Sequence, residues 1–351
     1  MINNKSHAAR LQWVDMGKGI AMILVILYHC ENSLRGEYVV EHYSVCYHSF
    51  FLPLFFFLSG YLFTSDCQKF SLGKKIEQII RGIVIPYFIF TTLILLPKSF
   101  FHNIPVFQGI KEIFLGQASW FIVSLGVSQI LFAAILSRTK SLKLLTIIAS
   151  LFLLCGYFIK ILYPYCLPFY LNYCPIVYVW VFIGFLYRIY EKKLEILSKP
   201  AIIVCLITFY SVAHWMDTAY LHTTLNLFEG RVSVYNNYFF SITYSFIGVV
   251  MMVGILKILP TVSAISFIGV NSLTIYYING GICKITALLV NKMDFFCHPR
   301  HTYIGVILVT VLCICIAACM SYFIRRFFPL LVGDKEVFGR LRNRFLFFIH
   351  K

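Results

Sequence analysis

Apolar stretches long enough to cross a bilayer recur along the whole of this 351-residue chain. Each is about twenty residues long, which matches the length of helix that spans a hydrocarbon core of roughly 30 Å. Only 13% of the residues are charged and 60% are hydrophobic, whereas soluble domains carry about 25% charged residues. These features indicate an integral membrane protein.

The apolar stretches predict an all-α fold, a polytopic transmembrane helix bundle of about ten spans. They lack the period-2 alternation of barrel strands, so helices are the remaining way to satisfy the backbone in lipid. No small-residue cleavage site follows the first stretch, which we interpret as a retained span. We expect one membrane domain over residues 1–324 and a short basic cytoplasmic tail over 325–351. The spans lie near residues 13–30, 47–64, 82–101, 119–137, 144–163, 173–189, 201–216, 238–256, 266–290 and 303–324.

The basic residues predict the orientation of these spans. Most of the 30 Lys and Arg residues fall at one end of the spans, and cytoplasmic loops are the ones enriched in such residues. An even number of spans with both termini in the cytoplasm follows. The net charge of +16 then belongs to a surface that faces anionic lipid rather than nucleic acid. The basic segments lie within residues 5–18, 69–81, 138–143, 188–199, 257 and 325–351.

The first span, WVDMGKGIAMILVILYHC (13–30), carries titratable side chains in an apolar run. Lys18 and His29 are eleven positions apart, which places them roughly 20° apart on one helical face and roughly 16 Å apart along the axis. His29 would lie near the middle of the membrane, where burial favours the neutral imidazole. A neutral histidine suits a general base that takes a proton from a hydroxyl.

Two structural explanations of these residues stay open. His29 is also expected if a neighbouring span satisfies its ring or if the ring lies at the outer interface. Lys18 alone would fit ordinary positive-inside anchoring, with its side chain reaching the membrane surface. It is the pair on one face that favours a functional site.

Five stretches resemble membrane acyltransferase family 3, the polytopic O-acyltransferases of surface sugars, and in particular its fucose 4-O-acetylase-like branch. The first holds the family's signature of a basic residue, ten others and a histidine, here Lys18 and His29. This chain departs from the family pattern in having Lys18 where arginine is common, Gln78 where an arginine is common, and Asn279 where histidine is common. The similar stretches are RLQWVDMGKGIAMILVILYHC (10–30), HSFFLPLFFFLSGYLF (48–63), IIRGIVIPYFIF (79–90), SWFIVSLGVSQIL (119–131) and FIGVNSLTIYYING (267–280).

The resemblance implies an integral membrane O-acyltransferase. The donor substrate would be cytoplasmic acyl-CoA, with acetyl favoured over succinyl or another short acyl group, and no cofactor would be permanently bound. The acceptor would be a hydroxyl of a cell-surface or lipid-linked carbohydrate. His29 would be the general base, while Lys18 and Arg81 would bind CoA phosphates, for which arginine is well suited.

Further residues are implied as supporting groups, each with a structural alternative. Asp15 would pair with Lys18 one turn away. Ser59 would serve the site or permit close helix packing, and Trp120 would support substrate or anchor at the interface. Tyr276 and Asn279 suit an acceptor channel or hydrogen bonds between helices equally.

The cysteines predict no metal site. Cys313, Cys315 and Cys319 share one helix and are interpreted as small packing residues. An outer disulfide among Cys46, Cys166, Cys174 and Cys297 has no assignable pairing.

A multispan transporter or flippase for a sugar-containing substrate is the alternative function. It would more readily show matching broken helices in an inverted repeat, which the sequence lacks. The expected partners are acyl-CoA, a carbohydrate and the bilayer, with no nucleic acid, and the oligomeric state stays open. The resemblance implies a bacterial inner membrane.

Overall fold

The computed structural model describes residues 11–34, 47–64, 66, 68–102, 105–162, 167–221, 238–292, 303–329 and 331–333. Every regular element in these ranges is helical. Nine of the described helices are long and apolar enough to cross a membrane. The prediction of an all-α polytopic bundle is therefore confirmed.

Thirteen α-helices follow one another along the described parts of the chain. Two π-helical segments, Ile80–Val84 and Asp217–Leu221, and two 3-10 segments, Pro168–Tyr170 and Lys193–Ser198, lie between or at the ends of α-helices. The α-helices are α1 Gln12–Leu34, α2 Phe51–Tyr61, α3 Leu72–Ile79, α4 Ile85–His102, α5 Val106–Phe114, α6 Trp120–Arg138, α7 Leu142–Leu162, α8 Cys174–Tyr190, α9 Pro200–Met216, α10 Tyr238–Ile258, α11 Ser263–Val270, α12 Ser272–Lys292 and α13 Tyr303–Phe327.

The second predicted span, 47–64, is shorter than expected. Its α-helix α2 has 11 residues, which is about 16 Å of rise against a core of roughly 30 Å. Almost every residue of α2 is buried. A helix that is apolar all round is a buried helix, so hydrophobicity alone overestimated its length.

The ninth predicted span, 266–290, consists of two helices. Helix α11 ends at Asn271, whose backbone leaves helical geometry at φ −102° and ψ 11°. The Asn271 amide Nδ2 donates to the Phe267 carbonyl at 2.8 Å. Such a local side-chain bond competes with the helical ladder, and α12 begins at the next residue.

The third predicted span begins earlier in the chain than expected. Leu72–Phe100 forms one continuous helical run of 29 residues, in which the π segment Ile80–Val84 joins α3 to α4. Pro86 has no N–H to donate to the carbonyl of Gly82. The change of helical geometry lies next to this proline.

The chain divides into two compact units. The first comprises Met1–Leu58, Lys193–Trp215 and Tyr244–Ala318, and the second comprises Ser59–Lys192, Met216–Thr243 and Cys319–Lys351.

In the first unit, α1 packs against α11 and α12. A Cβ added to Gly269 of α11 would overlap the Asp15 carbonyl of α1. Farther along the chain, the Cys283 Sγ of α12 lies 3.5 Å from the Cys30 Sγ of α1. Because the contacts advance from Gly269 to Cys283 as α1 advances from Asp15 to Cys30, α12 runs parallel to α1.

In the second unit, α8 packs against α6 and α7. Helix α8 is buried along most of its length, as expected of a helix that is apolar all round. The ring of Phe132 on α6 forms edge-to-face contacts with Tyr178 and Phe185 of α8 at centroid distances of 5.6 and 5.1 Å. These rings form the centre of the unit.

Candidate active site

Helix α1 carries the predicted basic residue and the predicted base without interruption. Lys18 and His29 both lie within Gln12–Leu34, and both side chains are half-buried. The regular helix keeps them on one face, as their spacing requires. Asp15 is also half-buried and lies one turn before Lys18.

Two glycines fix the helix at Lys18. A Cβ added to Gly17 would lie 2.9 Å from the Leu256 side chain, and one added to Gly19 would overlap the Ile265 carbonyl. Small residues let helices in membranes approach closely. The two glycines of the sequence GKG therefore let the helix backbone at Lys18 lie close to Leu256 and Ile265.

The first turn of α1 contacts the last turn of α10 and the α10–α11 connection. The Lys257 ammonium lies 5.5 Å from the centroid of the Trp13 ring, a distance at which a cation and an aromatic face attract. The Thr261 hydroxyl donates to Gln12 Oε1 at 3.1 Å. Both contacts hold the end of α1 that carries Asp15 and Lys18.

Aromatic rings and a second histidine surround the other end of α1. The Tyr28 ring lies 5.7 Å from the His29 ring and makes an edge contact with the His48 ring at 4.2 Å. The His48 ring packs edge-on against Phe51 at 5.3 Å. Lys284 on α12 follows Cys283, whose Sγ contacts that of Cys30, the residue next to His29.

A buried carboxylate follows His29 by two residues. Glu31 is 4% exposed, and the Tyr47 hydroxyl donates to its Oε2 at 2.8 Å. Neither residue was predicted from the sequence to belong to the site. Glu31 could have been identified from its place in HCEN (29–32), because an acidic side chain inside a membrane span is costly unless it is paired.

Helix α12 contributes the predicted polar residues to the same unit. Asn279 is 2% exposed, and its Nδ2 donates to the Tyr276 carbonyl at 2.7 Å. Its Oδ1 has no hydrogen-bond partner among the described residues. A buried amide oxygen left unsatisfied costs free energy, so it is available to a donor on a ligand.

Three further predicted residues lie in the second unit. Arg81 is half-buried within the π segment, and its Nε has no hydrogen-bond partner in the described ranges. Trp120 begins α6, with its ring 5.6 Å from Tyr173. Ser59 is half-buried, next to Gly60, where an added Cβ would overlap the Val181 carbonyl.

The structure thus brings Lys18, His29, Asp15, Tyr276 and Asn279 into the first unit, and it places Ser59, Arg81 and Trp120 in the second. The roles of these residues stay predictions. Cys46, Cys166 and Cys297 lie outside the described residues, and Cys174 is a buried free thiol.

A comparison with protein families identifies the class of protein. The family model described as an acyltransferase domain, of the acyltransferase 3 family, matches residues 11–324. The matched range therefore includes every candidate site residue described above. Neither a curated protein nor a solved structure matches the chain.

Proposed function

This chain belongs to the acyltransferase 3 family, and on that premise we propose that it transfers acetyl, or another short acyl group, from acyl-CoA to a carbohydrate hydroxyl. The family and the nine apolar helices make it a multi-pass membrane acyltransferase. We further propose that the donor arrives from the cytoplasm and that the carbohydrate is on the cell surface or linked to lipid. The membrane is proposed to be a bacterial inner membrane.

The observation that carries the proposal is the pair Lys18 and His29 on one face of an unbroken helix. Ionisable groups inside a membrane are expensive and mark functional sites. An anionic donor would bind at Lys18, and its thioester would extend along α1 towards His29. A structural anchor accounts for Lys18 but not for a histidine on the same face three turns farther.

In the proposed reaction, His29 takes the proton of the acceptor hydroxyl as the oxygen attacks the thioester carbonyl carbon. A C–O bond forms, and the C–S bond then breaks. The imidazolium returns the proton to the leaving thiolate of CoA. The products are an O-acyl ester and free CoA, so atoms and charge balance without a cofactor.

The tetrahedral intermediate carries a negative oxygen that needs a cation or donor nearby. Lys284 is proposed for this role because it follows Cys283, whose Sγ lies 3.5 Å from that of Cys30, the residue next to His29. Lys284 was not among the site residues predicted from the sequence. Its approach to His29 depends on the packing of α1 with α12.

The aromatic end of α1 is proposed to receive the carbohydrate. Tyr28, His48 and Phe51 present rings, and the Tyr47–Glu31 pair supplies a hydroxyl and a carboxylate. Rings and fixed polar groups together provide the apolar and hydrogen-bonding contacts of a small-molecule site.

Arg81 is proposed as a second phosphate-binding residue. Its unpartnered Nε, within the described ranges, supports this role, and π-helical segments often occur at functional sites. The family match favours this enzyme over the multispan transporter that the sequence also allowed.

The test compares acetyl-CoA turnover by the purified full chain with that of His29→Ala. We expect turnover to fall by about 10²- to 10⁴-fold, the usual contribution of a general base. Acetyl-CoA hydrolysis and transfer to a mixed glycan extract are both measured, at equal folded yield.

The matched control is His214→Gln, a histidine of another helix in the same unit that bonds the Tyr244 hydroxyl at 3.0 Å. It should retain turnover within about threefold. Equal loss in both variants, or full activity in His29→Ala, would remove His29 from the mechanism.

A further inference from the structure

Three cysteine side chains from three helices of the first unit meet in its interior. Cys30 is on α1, Cys283 on α12 and Cys313 on α13, and their Sγ atoms all lie within 4.8 Å of one another. The Sγ atoms of Cys30 and Cys283 are 3.5 Å apart. The three residues are 0%, 0% and 1% exposed.

The spacing of the sulfur atoms fits a shared metal ion. Thiolates bind zinc at about 2.3 Å, so two thiolates on one ion are roughly 3.7–4 Å apart. The Sγ separations, 3.5 Å for Cys30–Cys283 and at most 4.8 Å for the other pairs, bracket that value. Soft thiolate ligands select Cu(I) and Zn(II) over the hard cations.

We propose that Cys30, Cys283 and Cys313 form a buried thiolate site for one thiophilic d¹⁰ cation, Cu(I) or Zn(II). No metal site was predicted from the sequence, and Cys313 was interpreted as a packing residue. The spacing of Cys313 to Cys315 and Cys319 on one helix could not reveal the site, because the partners of Cys313 are on α1 and α12.

Binding replaces the thiol protons, since a thiolate is the ligand. Up to three protons leave as the ion enters, and no oxidant or reductant takes part. Lys284 follows Cys283 directly, and its positive charge favours the resulting anionic complex. Thr286 is buried on α12 one turn after Cys283, and polar groups close to metal ligands commonly orient them.

The ion would join α1, α12 and α13 at the residue next to His29. A bound metal stabilises the state that binds it, so the site would fix the position of the proposed base. This role is independent of the acyl donor and acceptor.

The test measures metal bound to the purified full chain in detergent. Reduced protein is loaded with Zn(II), or with Cu(I) supplied by a competing chelator, then desalted and analysed by elemental mass spectrometry. We expect about one ion per chain, and the ion retained against the stronger chelator identifies the metal. Cys313→Ser should lower the retained metal at least tenfold.

The matched control is Cys315→Ser, an exposed cysteine on the same helix, which should retain metal as the unchanged chain does. A second measurement uses the unchanged chain and so does not depend on whether the variant folds. Cd(II) bound to this chain should produce the ultraviolet charge-transfer absorption of thiolate ligands. No stoichiometric binding of any of these ions, equal loss in both variants, or a Cys30–Cys283 disulfide in protein purified without reductant would overturn the proposal.

Discussion

At the scale of single residues, Lys18 lies between two glycines that closely approach neighbouring residues. Gly17 faces Leu256 and Gly19 faces Ile265, so α1 lies against its neighbours on both sides of Lys18. Lys18 is then the side chain of this stretch that we propose to bind the acyl donor. Its ammonium is a compact point charge on a flexible stem, unlike the planar fork of arginine.

We predict that Lys18→Ala raises the KM for acetyl-CoA about tenfold and leaves kcat within about threefold, because the lost contact is made equally in the bound and transition states. Lys18→Arg should restore most of the affinity, since the charge is kept. Steady-state kinetics over a range of acetyl-CoA concentrations measures both parameters. Lys143→Ala, an exposed lysine at the start of α7, is the control and should not change KM.

The sequence located Lys18 and His29 because their spacing within one helix is a local property. It did not locate their neighbours. The Cys30–Cys283 contact joins residues 253 positions apart, and no local period reports such a pairing. Glu31 and Tyr47 are only 16 positions apart, but Tyr47 lies outside α1, so their bond also required the structure.

At the scale of elements, the α1–α11 contact depends on two glycines. A Cβ at Gly269 would overlap the Asp15 carbonyl, and one at Gly19 would overlap the Ile265 carbonyl. Backbone atoms cannot rotate away as a side chain can. These two positions therefore set how closely the signature helix approaches α11.

We predict that Gly269→Ala lowers the free energy of unfolding by about 1–3 kcal/mol, the usual cost of overpacking. Gly281→Ala on α12 is the matched control, because nothing lies within 4 Å of its added Cβ. It should be neutral or stabilise by up to about 1 kcal/mol, since alanine favours a helix over glycine. Thermal unfolding in detergent checks both, and equal melting temperatures would contradict the close contact.

Helix positions were largely predictable because a bilayer demands runs of about twenty apolar residues. Two of the three differences from the predicted spans have local causes that hydropathy does not include. Asn271 ends α11 by bonding its own helix, and α2 is apolar because it is buried rather than because it is long.

At the scale of the whole molecule, the parallel course of α1 and α12 constrains the topology. Two parallel spans require an odd number of crossings between them. Six of the long helices in the described ranges lie between α1 and α12. We therefore expect the segment 47–64, which contains the short helix α2, to supply the seventh crossing that the ten predicted spans require.

Ten crossings predict that both termini lie on one side, and the basic residues predict that this side is the cytoplasm. Epitope tags at either end should be accessible in inside-out vesicles and protected in right-side-out vesicles. A tag inserted after Lys140 should behave as the termini do, and one inserted within residues 293–302 should show the reverse. Termini on opposite faces would contradict both the crossing count and the role given to α2.

The contact between Cys30 and Cys283 also determines when the first unit can assemble during synthesis. Synthesis proceeds at about 5–20 residues per second, so the first helix enters the membrane roughly 13–50 s before its partner 253 positions later exists. During that interval Lys18 and His29 reside in lipid without the helices that surround them in the finished molecule. The helix that carries Lys18 and His29 is therefore synthesised first, and the helices that complete the proposed active site are among the last. A chain truncated before α11 would have the signature helix without α11 and α12.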